Sequence, residues 1–526
     1  MDLDSYAVGM HNCALGNSWI KINNNGKIKT IRIEDFAKEI GIQNNQLADL
    51  SNSNYEILSR NGWTKLYNLS CRNTKENEKL YTFKTRTGLP FTVTGEHRLP
   101  VLNENNNEIV KEAKNIKVGE TLLSLENVQL SSEELSYNFL NLMDLDDENL
   151  DLRIINLEPL RHFMRYRYGI IYAQYFNKKG FDLKPNAESI KVKDFKKLMK
   201  DYPLPFDLLS VLRIKSNGST KDYPLFIPYS RELAKVYAYI YADGGVYEDY
   251  SKGLHQLTFA NKVEAIMDDF LKCYESVFGY RPNKCYPKKE DKNNVCITMT
   301  DRSKVLVKLF KNFAGARKNG ADDISIPDFV MNGNNDIKYA YISACIDTDG
   351  CISERITYSS CCKQYCEQLQ LLLQSLNVKS IITECSKKNT VYHIKGHTGI
   401  RNFNNYSLIT TRKDEAAMLL GHLSTYKFSD AYSYKGLDKK YNESKIVSIE
   451  TNVKKGTKVY DVETGDHWFI LNNYVSHNCL TYPLDESLSQ GVKTRQTSLR
   501  PAKSVNTAFQ LVAVLFQLQS LQQFGR

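Results

Sequence analysis

Alternating apolar and polar residues recur along the first quarter of the chain and again near its end. In both stretches the alternating runs are separated by turns that contain Gly and Asn, which is typical of β-strands. The runs lie at 19–22, 79–83 and 91–93 in the first stretch and at 446–449, 458–462 and 467–471 in the second. This repeated pattern predicts one all-β domain that a long middle segment divides into two parts.

The middle segment has the 3.6-residue period of amphipathic helices instead. Two apolar helices are predicted, one over 231–242 that ends at Asp243-Gly244 and one over 336–348 that ends at Asp349-Gly350. After each of them the pattern predicts a helix, a strand and a further helix, with the two strands at 295–299 and 406–410. The middle is therefore predicted to be an α/β domain made of two similar halves.

These patterns divide the chain into six segments. They are a leading fragment 1–12, a first β-part 13–125, a less regular insert 126–225, the α/β domain 226–440, a second β-part 441–478 and a trailing fragment 479–526. The insert is interpreted as a small domain and is a candidate for DNA recognition. The trailing fragment contains an amphipathic helical pattern at 504–523, which needs a partner core.

Composition narrows the class of protein. The chain has 526 residues, which at roughly 150 residues per domain predicts two to four domains. It contains no apolar run of about 18 residues, and its acidic start lacks the features of a signal peptide, so we expect a cytoplasmic protein without a membrane partner. The twelve cysteines are then expected to be reduced. A formal charge of +10 permits a polyanion partner, but a mildly basic solvated surface explains it equally well.

The tripeptide His-Asn-Cys occurs twice, at 11–13 and at 477–479. Deleting residues 13–478 would join Asn12 to Cys479 and leave a single copy. An Asn whose side-chain amide can attack its own carbonyl, followed by a Cys nucleophile, is an arrangement that can break a peptide bond, and Cys13 supplies a second nucleophile at the other end. The pattern indicates a segment that cuts itself out of a longer chain.

Four separated motifs carry a resemblance to protein-splicing precursors, in which an intein lies between two exteins. They are the start at 13–20, the Thr94-x-x-His97 stretch, the run Val459-Tyr460-Asp461 with 466–469, and the end at 475–479. The fold that this resemblance implies is an all-β splicing domain, a Hint-type horseshoe, split by the middle segment.

The first reaction would be an acyl shift at Cys13. A peptide bond becomes reactive when an adjacent thiol converts it to a thioester, and this shift needs a polarised amide and a protonated leaving nitrogen. Cys13 would attack the carbonyl of Asn12. The resemblance makes His97 the candidate acid for the leaving nitrogen, positioned by Thr94. We expect no cofactor for splicing.

The later reactions would take place at the other end of the segment. Cys479 would accept the acyl group, with Asp461 controlling the protonation of the two thiols. Asn478 would then cyclise, with His477 and His467 activating its carbonyl and its amide. For His467 a packing role beside two neighbouring aromatic residues stays open.

Both apolar helices resemble the LAGLIDADG motif of homing endonucleases, at 236–244 and 342–350. Small residues recur every four places in each helix, which permits close packing of the pair. The resemblance implies a domain of duplicated αββαββα-like repeats with pseudo-twofold symmetry. It also implies Asp243 and Asp349 as catalytic ligands of Mg²⁺, and double-stranded DNA of the intein-free host gene as the partner. Basic, Tyr-rich segments at 256–259, 284–300, 355–359 and 391–411 would lie on the DNA.

One feature departs from this second resemblance. The lysine expected three residues before Pro327 is replaced by Ile324, and Lys318 is the nearest substitute. Lys427 fits the catalytic role in the second half. Two interpretations stay open, an active endonuclease and a DNA-binding module that no longer cleaves.

The joined flanks 1–12 and 479–526 resemble part of an anaerobic ribonucleoside-triphosphate reductase. The predicted partners are thus two exteins in cis and a DNA duplex, and the chain is expected to act as a monomer. A rival hypothesis is a hedgehog-like self-cleaving domain, which would need only Cys13, Thr94 and His97. The Asn478-Cys479 pair argues against it.

Overall fold

The structure, a computed structural model, describes residues 12–103, 105–124, 139–145, 150–171, 188–288, 295–394, 397–427 and 444–478. All of these belong to one of the two units into which the chain divides, Met1–Thr481. Cys479, the helix predicted at 504–523 and both reductase-like flanks up to residue 11 and from residue 479 lie outside the described residues.

The first described part contains mostly strands. Its elements are β1 (Ala14–Leu15), β2 (Trp19–Asn24), β3 (Lys27–Arg32), α1 (Ile33–Glu39), β4 (Gln46–Asp49), β5 (Tyr55–Ser59), β6 (Gly62–Asn73), β7 (Lys79–Thr85), β8 (Phe91–Thr94), β9 (Arg98–Leu102), β10 (Glu108–Glu112) and β11 (Thr121–Leu122). The hairpin between β2 and β3 turns at Asn25 and Gly26, whose φ values of 52° and 79° suit these two residue types. The predicted strands and this Asn-Gly turn are confirmed.

The middle part mixes helices and strands. Its first elements are β12 (Phe139–Asn141), β13 (Leu152–Ile155), α2 (Glu158–Tyr168), β14 (Ile190–Lys191), α3 (Val192–Asp201), α4 (Phe206–Ser210), β15 (Arg213–Ser216), β16 (Tyr223–Pro224) and β17 (Phe226–Pro228). The described residues between 139 and 228 share one hydrophobic core with the helices that follow.

Two similar halves follow in the middle part. The first is α5 (Arg231–Asp243), β18 (Gly244–Asp249), β19 (Leu254–Asn261), α6 (Glu264–Phe278), β20 (Lys284–Cys285), β21 (Ile297–Asp301) and α7 (Lys304–Lys311). A connection follows with β22 (Asn312–Phe313), β23 (Ala316–Lys318), β24 (Ile324–Ser325) and α8 (Asp328–Met331). The second is α9 (Asn335–Asp349), β25 (Gly350–Ile352), β26 (Ile356–Ser360), α10 (Lys363–Gln374), β27 (Ser380–Ser386), β28 (Val391–Ile394), β29 (His397–Ile400), β30 (Asn405–Thr410) and α11 (Lys413–Leu420).

The two halves have equivalent sheets, with strand orders β18-β19-β21-β20 and β25-β26-β30-β27. In both, the apolar helix leads directly into the edge strand. The two apolar helices α5 and α9 pack against each other, and Ala234, Ala238, Ala340 and Ala344 are buried. The two halves of the middle domain thus share one strand order.

The last described strands are β31 (Ile446–Val453), β32 (Lys458–Thr464), β33 (Trp468–Leu471) and β34 (Tyr474–His477). They join the sheet formed by the early strands, in the order β3-β2-β5-β6-β32-β1-β8-β7-β31 with β4 beside β6. Residues 13–124 and 444–478 are called the β-domain below, and the described residues from 139 to 427 the middle domain. The β-domain has its own core, which includes Phe36, Phe83, Leu99 and Phe469.

The middle domain leaves and re-enters the β-domain at neighbouring points. Leu122 N–H donates to the Ser444 carbonyl at 3.1 Å, and Thr121 lies opposite Lys445 in a β-bridge. The domains also touch where Trp19 Nε1 donates to Glu367 at 3.1 Å. Among the described residues, no helix has the length and apolar character needed to span a membrane.

Candidate functional site

Cys13 is completely buried where β1 begins. Its backbone N–H donates to the Thr94 hydroxyl at 3.0 Å, and its carbonyl accepts from the Thr94 N–H at 2.9 Å. Thr94 ends β8, the strand beside β1, so strand pairing brings it to this position. The Thr94 hydroxyl therefore contacts the nitrogen of the Asn12–Cys13 peptide bond.

His97 lies in the turn after Thr94 and is also completely buried. Its Nε2 lies 2.6 Å from the Ser476 hydroxyl on β34. Burial lowers the pKa of His97 to about 3, although contact with the Asn12 backbone raises it; the nearby His477 lowers it further. The imidazole is thus neutral at physiological pH, and it must first take up a proton before it can donate one to a leaving nitrogen.

Thr94 was predicted to position His97, and the contact between them is made by the backbone. The His97 N–H donates to the Thr94 carbonyl at 3.1 Å, whereas the Thr94 hydroxyl faces Cys13. The His97 ring itself contacts the Ser476 hydroxyl.

The other end of the segment lies next to Cys13. The Asn12 side-chain amide donates to the Asn478 carbonyl oxygen at 3.2 Å, and His477 Nδ1 lies 2.6 Å from the same oxygen. Burial lowers the pKa of His477, whereas the Asn478 backbone raises it. The carbonyl that Asn478 must attack in a cyclisation is therefore in contact with an imidazole.

The side chain of Asn478 is completely buried. Oriented so that both polar atoms are satisfied, its Nδ2 donates to the His467 carbonyl at 2.9 Å and its Oδ1 accepts from the Thr464 N–H at 2.7 Å. The Asn478 N–H donates to the same His467 carbonyl at 3.1 Å. His467 thus contacts Asn478 through its backbone carbonyl. Its φ is 66°, and its ring lies 6.4 Å from the His477 ring.

Asp461 lies on β32, between β1 and β6. Asp461 is opposite Ser70 on β6. On the other side of β32, Ala14 on β1 is opposite Tyr460, so Cys13, the residue before Ala14, lies beside Asp461. The carboxylate is buried and accepts from the Val462 N–H at 3.0 Å. Its strand position thus places it on the same face of the sheet as Cys13.

A second group of polar residues lies where α5 and α9 end. Asp243 accepts from Asn261 Nδ2 at 2.8 Å, and burial raises its pKa. Although Asp349 as a residue is exposed, burial of its carboxyl and the nearby charge of Asp243 raise its pKa to about 6. The close packing of the helices therefore brings the two predicted carboxylates together.

A lysine caps the end of each helix in the same manner, and of the two Lys318 is buried whereas Lys427 is exposed. Lys318 Nζ donates to the carbonyls of Ile240 and Tyr241 at 2.8 and 2.6 Å, and Lys427 Nζ donates to those of Thr348 and Gly350 at 2.6 and 2.8 Å. Burial lowers the pKa of Lys318 to about 8, although Asp349 and Asp243 raise it.

Ile324 stands at the position where the motif predicted a lysine, and it is buried opposite Lys318 on the paired strands β23 and β24. The strand pairing thus supplies the amino group from Lys318. The hypothesis that Lys318 substitutes for the missing residue fits this geometry.

Asp347 also contributes to this site, and the sequence reasoning did not single it out. It is buried, and its Oδ1 accepts from Thr425 Oγ1 at 2.5 Å and from the Tyr426 N–H at 2.7 Å. These bonds fix the turn that carries Lys427.

A family model described as the intein splicing domain matches residues 22–478. The chain belongs to this family. The resemblance to inteins inferred from the separated motifs is thereby confirmed, and Thr94, His97, Asp461, His467, His477 and Asn478 lie within the match. No curated protein matches the chain.

Some solved structures are similar to parts of this intein. Mesophilic variants of the homing endonuclease I-DmoI share 17% identity over 37% of this chain and 96% of that chain, with a TM-score of 0.28. I-DmoI in complex with DNA and Mn shares 17% identity over 38% of this chain and 99% of that chain, with a TM-score of 0.28. The transcription factor IIB Mvu mini-intein shares 16% identity over 21% of this chain and 69% of that chain, with a TM-score of 0.18. These values are too low to assign an activity.

The intein brings together Cys13, Thr94, His97, His477 and Asn478 at one place in the β-domain. Sequence reasoning missed Ser476, whose hydroxyl contacts His97. Its place one residue before His477 was the only local signal.

Proposed function

We propose that the chain splices itself by excising residues 13–478 and joining Asn12 to Cys479. The observation that carries this proposal is the contact of Asn12 Nδ2 with the Asn478 carbonyl at 3.2 Å, since it holds the two cleavage points side by side. Proximity of this kind converts slow intermolecular steps into fast intramolecular ones.

In the first step the Cys13 sulfur bonds to the Asn12 carbonyl carbon, and the Asn12–Cys13 peptide bond breaks. Neutral His97 takes up the thiol proton and passes it to the leaving nitrogen, whose N–H the Thr94 hydroxyl already contacts. The product is a thioester and a free amine.

In the later steps the Cys479 thiol takes over the acyl group and Cys13 is released. Asn478 Nδ2 then bonds to its own carbonyl carbon, and the bond to Cys479 breaks as its nitrogen gains a proton. His477 at 2.6 Å stabilises the charge that develops on the carbonyl oxygen. A final acyl shift from sulfur to nitrogen leaves an Asn12–Cys479 peptide bond between two exteins, for which we propose an anaerobic ribonucleoside-triphosphate reductase.

Mass spectrometry of the purified chain tests this reaction. We expect excised residues 13–478 and a peptide in which 1–12 is joined to 479–526. Asn478→Ala should prevent release of the C-terminal flank, whereas Asn107→Ala, in an exposed loop, should splice normally. An intact precursor with unmodified termini contradicts the proposal, and cleavage at Cys13 alone favours the hedgehog-like alternative.

We further propose that the middle domain is a site-specific endonuclease acting on double-stranded DNA, with a LAGLIDADG arrangement inserted in a Hint-type β-domain. The observation in its favour is the pair Asp243 and Asp349 between two lysine-capped helix ends. The described residues contain no group of three or more His, Cys, Asp or Glu side chains able to hold a metal ion. Mg²⁺ suits the site nevertheless, because it is commonly held by one or two carboxylates, with waters and phosphates completing the shell.

Asp243 and Asp349 would hold the ion, which would supply charge stabilisation at the phosphate and an activated water. Lys318 and Lys427 place positive charge beside the two carboxylates. Incubation with the intein-free host gene and Mg²⁺ should give one double-strand cut. Asp243→Asn and Asp349→Asn should each reduce it, whereas Asp322→Asn, an exposed carboxylate, should not. Bound but uncut DNA favours the binding-only alternative.

A further inference from the structure

Arg72 on β6 lies on the same face of the sheet as Cys13. Val459 on β32 is opposite Arg72 on one side and Leu15 on the other, and the next residue of the same face on β32 is Asp461. Because alternate residues of an extended chain share a face, Leu15 on β1 and Cys13, the residue before β1, face the same side as Arg72. Cys13, Leu80 and Val459 form one small apolar cluster there.

The guanidinium of Arg72 is fixed by an ion pair. Its two terminal nitrogens donate to the two Glu78 oxygens at 2.8 and 2.7 Å, and one of them also donates to the Asn73 carbonyl at 3.1 Å. The Arg72 side chain is only 11% exposed. This bidentate pair leaves the charged group with little freedom to move.

The same guanidinium contacts the Cys13 side chain. Burial lowers the pKa of Arg72, but the bond to Glu78, the charge on Cys13 and contact with Cys13 outweigh it, so that the pKa is raised. Arg72 and Thr94 line one pocket, and Thr94 already binds the backbone of Cys13. A permanent cation thus lies beside the sulfur that reacts first.

We propose that Arg72 is a catalytic residue of the first acyl shift, in which its guanidinium stabilises the Cys13 thiolate as the sulfur attacks the Asn12 carbonyl carbon. This inference rests on the proposed splicing reaction. The thiol proton leaves the sulfur, the carbon–sulfur bond forms, the Asn12–Cys13 carbon–nitrogen bond breaks, and the nitrogen gains a proton. The guanidinium charge thus offsets the cost of forming a thiolate in a site removed from water.

Other charged groups face the same region. Asp461 on β32 opposes thiolate formation, and Glu78 offsets part of the Arg72 charge. Neutral His97 lies against Asn12 from the turn after β8, with His477 nearby. Further charges line the pocket at Lys75, Glu76, Lys79, Glu96 and Lys114. Among these groups Arg72 is the cation in contact with the sulfur.

The test measures the first step alone. A full-length precursor with Asn478→Ala and Cys479→Ala cannot proceed beyond the thioester, so dithiothreitol releases residues 1–12 at a rate that reports this step. The rate is measured by mass spectrometry from pH 6 to pH 9. An opposite charge within a few ångströms typically moves a titration by about one to three pH units, so Arg72→Gln should shift the rate profile upward by about one to two and slow release about 10- to 100-fold at pH 7.

Two further variants separate charge from structure. Lys79→Gln removes an exposed positive charge from the same pocket and should leave the profile unchanged. Arg72→Lys keeps a charge but cannot hold both Glu78 oxygens and the sulfur at once. Its pH–rate profile should therefore lie between those of the unsubstituted precursor and Arg72→Gln. Slowing by the same factor at every pH, or no slowing by Arg72→Gln, overturns the proposal.

The reaction at Asn478 shows whether Arg72→Gln causes a folding defect. In a Cys13→Ala precursor, release of residues 479–526 by Asn478 cyclisation should proceed normally when Arg72→Gln is added. If it does not, Arg72→Lys decides the question, and slowing of this variant by the same factor at every pH overturns the proposal. Failure of dithiothreitol to release residues 1–12 from the unsubstituted precursor instead contradicts the splicing reaction itself.

Discussion

Replacing His97 with glutamine tests whether its buried imidazole stays neutral as the pH falls. Glutamine keeps a polar group at the Nε2 position, where it can still bond to Ser476, but it cannot take up a proton. Both the reference chain and the variant carry Cys13→Ala and Asn478→Ala, so that neither reacts during the measurement.

The expected effect follows from the two pKa values. Burial lowers the pKa of His97 to about 3 in the folded protein, whereas it is about 6.5 in an unfolded chain. Above pH 6.5 His97 is neutral in both the folded and the unfolded protein, so its ionisation does not change the free energy of unfolding. As the pH falls below 6.5 the unfolded chain gains a proton that the folded one does not, so stability is lost until about pH 3. At pH 5 this loss is about 2 kcal/mol, and it is nearly the same for any folded pKa below 4.

Tryptophan fluorescence during urea unfolding measures mainly this domain, because Trp19, Trp63 and Trp468 are the three tryptophans of the chain and all lie in the β-domain, and among the described residues only Trp19 of the three is bonded to the middle domain, at Glu367. Between pH 7 and pH 5 the reference chain should lose about 2 kcal/mol more unfolding free energy than His97→Gln. His162→Gln, whose side chain is 80% exposed, should behave like the reference chain. Parallel pH dependences of the reference chain and His97→Gln would refute the reasoning, since the folded protein would then accommodate the charge.

Three further predictions concern the middle domain. DNA cleavage should decline as the pH falls below about 6, because a proton then competes with the metal ion for the Asp349 carboxylate. A gel assay of cleavage from pH 5 to pH 8 measures this decline, and a rate that does not change with pH contradicts it. Lys318→Met should slow cleavage as strongly as Lys427→Met while DNA affinity in a gel-shift assay changes little, and an unaffected Lys318 variant would exclude a role for this lysine. Gly350→Ala places a Cβ 2.5 Å from the Ile346 Cα and should destabilise the middle domain by about 1–3 kcal/mol in thermal unfolding followed by circular dichroism, whereas an unchanged transition would show that the helix end relaxes freely.

The periodic parts of the fold could be predicted closely from the sequence. The helix predicted over 231–242 is α5 (Arg231–Asp243), because apolar residues and its Asp-Gly end define it locally. The strand predicted at 295–299 instead spans Ile297–Asp301. Asp301 is polar but completely buried, since Tyr274 donates to it at 2.6 Å, and a pattern of apolar residues does not reveal such a position.

The candidate sites were predictable only where short motifs name them. The Thr94-x-x-His97 spacing identified two residues that the fold brings to Asn12 and Cys13. Ser476 lies 379 residues from His97, and Lys318 reaches the end of α5 through strand pairing, so neither contact has a local signal. Such contacts depend on tertiary packing, which single-sequence patterns do not contain.

The adjacent exit and entry points of the middle domain have a consequence for how this gene can change. The backbone bond between Leu122 and Ser444 closes the β-domain on itself, so the intervening chain is in effect one very long connection between neighbouring positions. The entropy of closing such a connection grows only with the logarithm of its length. A short turn could therefore replace the whole insertion with little change in loop-closure entropy, and a lineage could discard the middle domain while the strands that hold Cys13 and Asn478 remain paired.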